Sequence, residues 1–286
     1  MMEQPMSIAV SAVSGQLGAQ IVQRLMATGQ AQSVGLARTP EKVRIDGLEV
    51  RPGEYSNQAT LARSLSGIET LVMVSLNTPP DERTEQHRSA LRAAMQAGVR
   101  RIIYTSVQGA EQGTAFSPVI QSNRQTEADI KALGFEWSIG RNGIYIEPDI
   151  DYIDSYIQAG EIANSAGAGR CAYTTRAELA AAYAAMALDP HLDGRTYKLH
   201  GDPLTQAELA EYLNAAFGTE LIYRAMSVDA YRADRQAALG DQMGTIIAGI
   251  YEGIRSGVFD APSDFEAAAG RPHRSWPDFF AELSSA

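Results

Sequence analysis

The first forty residues constrain the fold more than anything after them. Ser7-Ile-Ala-Val-Ser-Ala-Val13 is an apolar run of the length that a buried parallel strand needs, and it passes straight into Ser14-Gly15-Gln16-Leu17-Gly18. Beyond that turn Leu17, Ile21 and Leu25 recur at helical spacing, with Val22 and Met26 beside them. Ser33-Val-Gly-Leu-Ala37 then reads as a second strand, and Arg38 closes it. A strand, a glycine turn and a helix leave unpaired backbone N–H groups at the helix N-terminus, where a pyrophosphate can accept them. In such folds the residue closing the second strand meets the adenosine ribose. A carboxylate takes a free 2′-hydroxyl, whereas an arginine suits a 2′-phosphate, so the sequence predicts an NADP(H)-binding domain.

The rest of the chain is consistent with that start. Residues 48–51 form a short strand, 58–66 a helix, and Thr70-Leu-Val-Met-Val-Ser75 a nearly continuous buried strand. Residues 84–97 form a helix with Ala90, Leu91, Ala94 and Met95 on one side; 101–106 form a strand, 123–132 a helix and 136–140 a strand. Alternation of this kind predicts an α/β fold of Rossmann type, a doubly wound parallel sheet with helices on both faces. Its ligand belongs outside the carboxyl ends of the strands. Past residue 145 the rhythm loosens. Tyr197-Lys-Leu-His200 is a short strand, Thr205-Gln-Ala-Glu208 is a capping box, and Ser275-Trp-Pro-Asp278 is another helix start. The expected division is a dinucleotide-binding domain over residues 6–145, with later strand and helix contributions, and a smaller, mainly helical lobe over 146–286.

Composition narrows the partners. The net charge of −10 leaves no basic stripe for nucleic acid phosphates. The single cysteine, Cys171, rules out a disulfide within the chain and a thiolate metal cluster, and fits a reducing cytoplasm. No apolar run approaches the ~20 residues that span a bilayer, so a cytoplasmic protein with no membrane partner is expected. His87, His191, His200 and His273 are scattered, and no metal site is expected. Asp149, Asp151 and Asp154 lie around Pro148, where they fit a helix start and its dipole better than a metal.

The glycine turn carries a substitution. Ala12, Gly15 and Gly18 fill the three positions of a G-x-x-G-x-x-G turn, with alanine first. Alanine there narrows the backbone freedom and brings a methyl group towards the phosphate path. Glu54, after the third strand, is placed to approach the adenine edge or to remain an ordinary loop residue. Hydride transfer to a carbonyl calls for a proton donor, for which short-chain dehydrogenases use Tyr-x-x-x-Lys on a helix and a serine at the preceding strand end. Ser106 is in the serine's place, but the helix after it reads Ser122-Asn-Arg-Gln-Thr-Glu-Ala-Asp129, with no such pair. An acceptor that takes hydride without a dedicated enzyme acid, such as a quinone or a cationic dye, suits that absence. Tyr145, Tyr104 and Trp137 are candidates for an aromatic wall, although a mid-strand tryptophan usually belongs to the core.

Ala12-Val-Ser-Gly-Gln-Leu-Gly18, Tyr104-Thr-Ser106, Gln125-Thr-Glu127 and Arg141-Asn-Gly-Ile-Tyr145 follow one another at the spacings of the NmrA-like atypical short-chain dehydrogenases. The sequence most resembles their bacterial branch of NADPH-dependent quinone oxidoreductases and triphenylmethane reductases, over almost its whole length. The resemblance implies that the turn Ala12, Ser14, Gly15, Gln16, Leu17 and Gly18 holds the pyrophosphate and Arg38 the 2′-phosphate. It implies that Ser75 and Leu76 line the ribose–nicotinamide path, that Asn142, Gly143, Ile144 and Tyr145 pass beside the nicotinamide, and that Arg170 contacts cofactor or cleft. Glu54 stands where relatives show aspartate, and Asn123 where they carry a histidine before Thr126-Glu127. An asparagine there can hydrogen-bond a carbonyl but cannot donate a proton as imidazolium does.

The expected function is NADPH-dependent reduction of a quinone or similar conjugated aromatic, with Tyr145, Ser106 and Asn123 as the catalytic or substrate-positioning residues. Two other readings stay open: a non-catalytic NADP-sensing regulator, and an enzyme that tailors an aromatic metabolite by ketoreduction or oxygenation. A homodimer is compatible with the sequence.

Overall fold

The computed structural model describes residues 6–284. Strand β1 (Met6–Ser11) leads into helix α1 (Gln16–Thr28), followed by β2 (Ala31–Ala37), β3 (Glu49–Pro52), α2 (Gln58–Ser64) and β4 (Thr70–Val74). Then come α3 (Pro80–Ala97), β5 (Arg101–Val107), α4 (Ser117–Ala132), β6 (Glu136–Asn142), β7 (Ile144–Tyr145), α5 (Glu147–Asp151) and α6 (Ile153–Ala159). The second half holds β8 (Glu161–Asn164), β9 (Arg170–Cys171), β10 (Tyr173–Thr174), α7 (Arg176–Leu188), β11 (Arg195–Leu199), β12 (Leu204–Thr205) and α8 (Gln206–Phe217). It ends with β13 (Ile222–Ala225), α9 (Val228–Leu239), α10 (Asp241–Arg255), α11 (Phe265–Ala269) and α12 (Trp276–Leu283).

Seven strands form one parallel sheet in the order β11-β6-β5-β4-β1-β2-β3. From β1 the chain winds outward to β3, crosses back to β4, and winds the other way to β6. The strand order therefore reverses between β1 and β4, which opens a crevice at their carboxyl ends. Alternate side chains supply two cores. Ile8, Val10, Val72 and Ile103 pack with α1 and α7 on one face, while Ala9, Leu71, Met73 and Ile102 pack with α2 and α3 on the other. Each fully buried aliphatic side chain contributes on the order of 2 kcal/mol, so this two-faced burial sets the register.

Local chemistry shifts several boundaries from the sequence expectation. β1 stops at Ser11, because Ala12 turns to φ +55°, among the described residues the one positive φ outside glycine. Helices α3 and α4 start at Pro80 and Ser117, earlier than expected, with a proline at the first or second helical position. Proline suits that place because its missing N–H has no helical partner to lose. Thr205 and Glu208 form the expected capping box, Ser275 caps the expected helix start by accepting from Asp278 N–H, and Thr175 caps α7 by accepting from Glu178 N–H.

Residues beyond β6 serve both layers. β11 extends the sheet beside β6, and α7 packs on α1. Three small two-stranded ladders and the remaining helices apart from α11, whose Phe265 and Ala268 join the α1–α7 core, form a lobe with its own core, including Ile146, Tyr173, Leu209, Ile254, Phe259, Trp276 and Phe280. Ile250 of α10 touches that core and also the group around Phe116, Val119 and Ile120 at the start of α4. Gly249 permits the approach: a Cβ there would collide with the Phe116 amide nitrogen. Among the described residues no helix is long and apolar enough to cross a membrane.

Candidate functional site

The crevice floor is built from Ser11, Tyr55 and Val74. The β1–β4 ladder runs from Ile8–Thr70 to Val10–Val72 and then opens. The Ser11 hydroxyl fills the gap, accepting from Val74 N–H at 2.8 Å. Tyr55 lies 2.6 Å from it and donates to the Val74 carbonyl at 3.0 Å. Burial pushes the Tyr55 phenol far up, so it stays neutral. Neither Ser11 nor Tyr55 is among the residues the sequence singles out; a lone hydroxyl ending an apolar strand is the signal for Ser11.

Above this floor lies the glycine turn. The Gly15 N–H bonds to the Ala12 carbonyl at 2.9 Å, and α1 begins with no side-chain cap and no acidic residue in its first turn. Ser14, Gly15 and Gln16 are exposed, while Leu17 and Gly18 are buried. A Cβ at Gly18 would lie 2.5 Å from the Ala12 carbonyl oxygen and 2.7 Å from that of Ser11, so only glycine lets α1 come this close to the strand. The result is an open set of first-turn amides at the positive end of a helix dipole, the geometry that a pyrophosphate needs. Arg38 stands exposed at the end of β2 and, among the described residues, makes no ion pair or hydrogen bond. Glu54 is exposed in the loop after β3.

Ser75 and Leu76 open the loop between β4 and α3, which the interior holds from below. The Ser75 N–H donates to Thr105 Oγ1 at 2.9 Å, and its hydroxyl donates to Asn123 Oδ1 at 3.1 Å. The Leu76 N–H donates to His87 Nε2 at 3.2 Å. With Nε2 accepting, Nδ1 carries the hydrogen and meets Thr126 Oγ1 at 2.9 Å. Burial, with the Arg83 charge beside it, pulls the His87 pKa down to about 3, so the ring is neutral. Asn123 has no free acceptor. Its Oδ1 also takes the Tyr104 hydroxyl at 2.7 Å, its Nδ2 donates to the Val119 carbonyl, and it is 2% exposed.

Ser106 is likewise committed inside. Its hydroxyl donates to Glu127 at 2.6 Å, and that carboxylate also takes Arg124 at 2.8 Å and Arg141 at 2.7 Å. Burial alone would raise Glu127, but Arg141, Arg124 and Ser106 together hold it below the usual carboxylate range. Ser106 and Asn123 are thus both buried with internal hydrogen-bond partners. Trp137 lies near the amino end of β6, where Lys131 sits 4.7 Å above its ring. Tyr104 is fully buried. Neither forms an aromatic wall at the carboxyl ends.

The stretch 142–145 is the best fixed part of the site. The Tyr183 hydroxyl lies 2.5 Å from Asn142 Oδ1 and 3.0 Å from the Gly140 carbonyl, and a Cβ at Gly140 would collide with it. Gly143 is required because any Cβ would strike the Ala172 carbonyl. Ile144 and Tyr145 then pair in parallel with Tyr173 and Thr174. The Tyr145 ring lies under the Arg176 guanidinium, 4.8 Å away, and burial raises its phenol pKa despite the Asn142 amide and the Arg176 charge. It is a flat, proton-retaining surface rather than a tuned acid.

In the lobe, Asp149 lies in the first turn of α5, as its position before a helix implied, but it is buried and bonded by the Tyr156 hydroxyl at 2.8 Å. Burial pushes its carboxyl up to about 6. Arg170 is engaged by Glu208 at 3.3 Å and by the Pro203 carbonyl, both within the lobe. Among the described residues no three His, Cys, Asp or Glu side chains gather as a metal site.

The residues present fit a dinucleotide with a 2′-phosphate: uncapped helix amides at an exposed turn, an exposed, unpaired arginine at the end of β2, and a fixed Asn-Gly-Ile-Tyr segment at the end of β6. The comparisons agree with that geometry. A family model described as NAD(P)H-binding matches residues 13–190. Quinone oxidoreductase 2 of Escherichia coli is 31% identical over 272 residues, 93% of this chain and 94% of the relative. The crystal structure of an NADPH-dependent quinone oxidoreductase from E. coli complexed with NADPH superposes with a TM-score of 0.88 at 29% identity, covering 96% of this chain and 99% of that one. The Citrobacter triphenylmethane reductase complexed with NADP(H) gives 0.87 at 27% identity, covering 97% and 100%.

Proposed function

Since the chain belongs to the NAD(P)H-binding family, and to its NmrA-like quinone reductase group, we propose that it is an NADPH-dependent reductase passing hydride to a quinone or a comparable flat, conjugated acceptor. The observation that carries this reading is the pairing of an open nucleotide cradle with the lack of a dedicated acid. Ser106 and Asn123 are bonded internally, and Tyr145 holds its proton. The names of the relatives, a quinone oxidoreductase and a triphenylmethane reductase, support the acceptor class.

In this reading the first-turn amides of α1 hold the pyrophosphate, and Arg38 pairs with the 2′-phosphate, which favours NADPH over NADH. Ser75 and Leu76 border the nicotinamide ribose, and Asn142 to Tyr145 line the opposite side. A bound dihydronicotinamide would supply hydride, two electrons and a proton transferred together; a quinone so reduced takes its second proton from water, whereas a cationic dye needs none. The Tyr145 ring gives a flat acceptor something to lie against, and the lobe limits water around it. Positioning then supplies most of the rate.

The test is loss of NADPH absorbance in the presence of purified protein and a panel of quinones and cationic triphenylmethane dyes. Turnover above the protein-free rate is expected. NADPH binding without turnover on any acceptor would instead be the behaviour of a sensor and would overturn the reductase reading.

A further inference from the structure

Arg83 is buried, 4% exposed, in the first turns of α3, and it has no carboxylate partner among the described residues. Its Nη2 donates to the Thr78 carbonyl at 2.7 Å and its Nη1 to Ser122 Oγ at 3.3 Å. Its Nε–H is buried without an acceptor, and so is the Thr78 hydroxyl beside it. The other arginines with deeply placed side chains are compensated: Arg101 pairs with Asp193 at 2.7 Å, while Arg124 and Arg141 share Glu127. Guanidinium keeps its proton even where burial opposes it, so Arg83 is a permanent positive charge in a poorly screened place. Its surroundings do not neutralise it. His87 below it on α3 is a neutral ring, Tyr104 on β5 is a neutral phenol raised to about 12 by burial, and Ser122 on α4 is a hydroxyl.

The position of this charge gives it a use. Thr78 belongs to the loop that begins with Ser75 and Leu76, and Ser122 precedes Asn123, which holds the Ser75 hydroxyl. The charge thus lies under the loop that borders the nicotinamide ribose in the proposed function, on which this inference rests. The reduced nicotinamide ring is neutral, whereas the oxidised ring carries one positive charge. We propose that Arg83 is an electrostatic bias on the nucleotide site, a fixed buried cation that disfavours the oxidised cofactor against the reduced one and so favours capture of NADPH and release of NADP+ after hydride has left. It acts through its field and touches neither acceptor nor ring.

The test is calorimetric titration of the purified full chain with NADPH and with NADP+, because a purely structural role would weaken both alike. Wild type is expected to bind NADPH more tightly than NADP+. Arg83→Gln is expected to lower the ratio Kd(NADP+)/Kd(NADPH) roughly tenfold, the order expected of a unit charge ~10 Å away at an effective dielectric of ~20. Arg83→Lys is expected to restore the wild-type ratio. Ser122→Asp, which sets a carboxylate where the hydroxyl now takes Nη1, is expected to lower the ratio with Arg83 still in place, and it carries the test if Arg83→Gln fails to fold. A ratio unchanged in the folded variants, or equal losses for both nucleotides, would overturn the bias and leave the nucleotide site standing. Failure of wild type to bind either nucleotide would overturn both.

Discussion

At the scale of single residues, the turn at Ala12 decides how well the first helix is seated. An L-residue at φ +55° carries a steric cost of about 1–2 kcal/mol that glycine avoids, partly offset by the greater entropy glycine loses on folding. Ala12→Gly is therefore expected to stabilise the protein by about 0.5–1 kcal/mol, raising the thermal midpoint by ~2 °C. A lowered midpoint in a melting scan would show that the alanine is not strained. Arg38 is the opposite case, exposed and without a partner. Arg38→Ala is expected to leave stability within about 0.5 kcal/mol and to weaken NADPH binding at least tenfold more than NADH binding. Equal losses measured for the two cofactors would remove it from the 2′-phosphate site. Both positions were legible in the sequence, because a glycine turn and the residue ending the next strand are local features. The internal partners of Ser106 and Asn123 were not, because Glu127 and Tyr104 lie on neighbouring elements that no spacing rule brings together.

At the scale of elements, apolar periodicity found the helices but not their first turns. Residues 80–83 lead α3 with proline and polar side chains, so an apolar pattern starting at residue 84 leaves out Arg83, which meets Ser122 of α4 beneath the β4–α3 loop. The same blindness applied to α5. Asp149 looked like a solvated acid at a helix start, yet the lobe closes over it with Tyr156, Tyr173 and Tyr251 around it. Its pKa of about 6 in the fold exceeds the unfolded value of 3.8. The folded state therefore holds the proton more tightly, and this contribution to stability is complete below pH ~4 and lost as pH rises through ~6. Asp149→Asn, neutral throughout, is expected to be more stable than wild type at pH 8 by about 2 kcal/mol and to lack that decline. Chemical denaturation at pH 4, 6 and 8 checks it. A variant less stable than wild type at pH 8 would mean that the ionised carboxylate is satisfied in the fold.

At the scale of the whole molecule, a later strand and helix rejoin the sheet layer. β11 and α7 return to the sheet and to α1, because β6 would otherwise be an uncovered edge and α1 would lack a partner along Leu17, Ile21 and Leu25. The α9–α10 pair then ties the lobe to the start of α4. Glu252 accepts the Ala115 N–H at 3.1 Å and also takes Arg232, while Ile250 packs on both cores. The Glu252–Ala115 bond and the packing of Ile250 on the Phe116 group join residues more than a hundred positions apart, outside the reach of any window on the sequence. They hold a lobe over the carboxyl ends of β4, β5 and β6, the place where the alternation of strands and helices had put the ligand. The central claim is that this place is an NADPH site, and direct calorimetric titration of the purified protein with NADPH tests it most closely. One nucleotide per chain, bound more tightly than NADH, is predicted; no heat of binding and an unchanged melting temperature at saturating NADPH would contradict it.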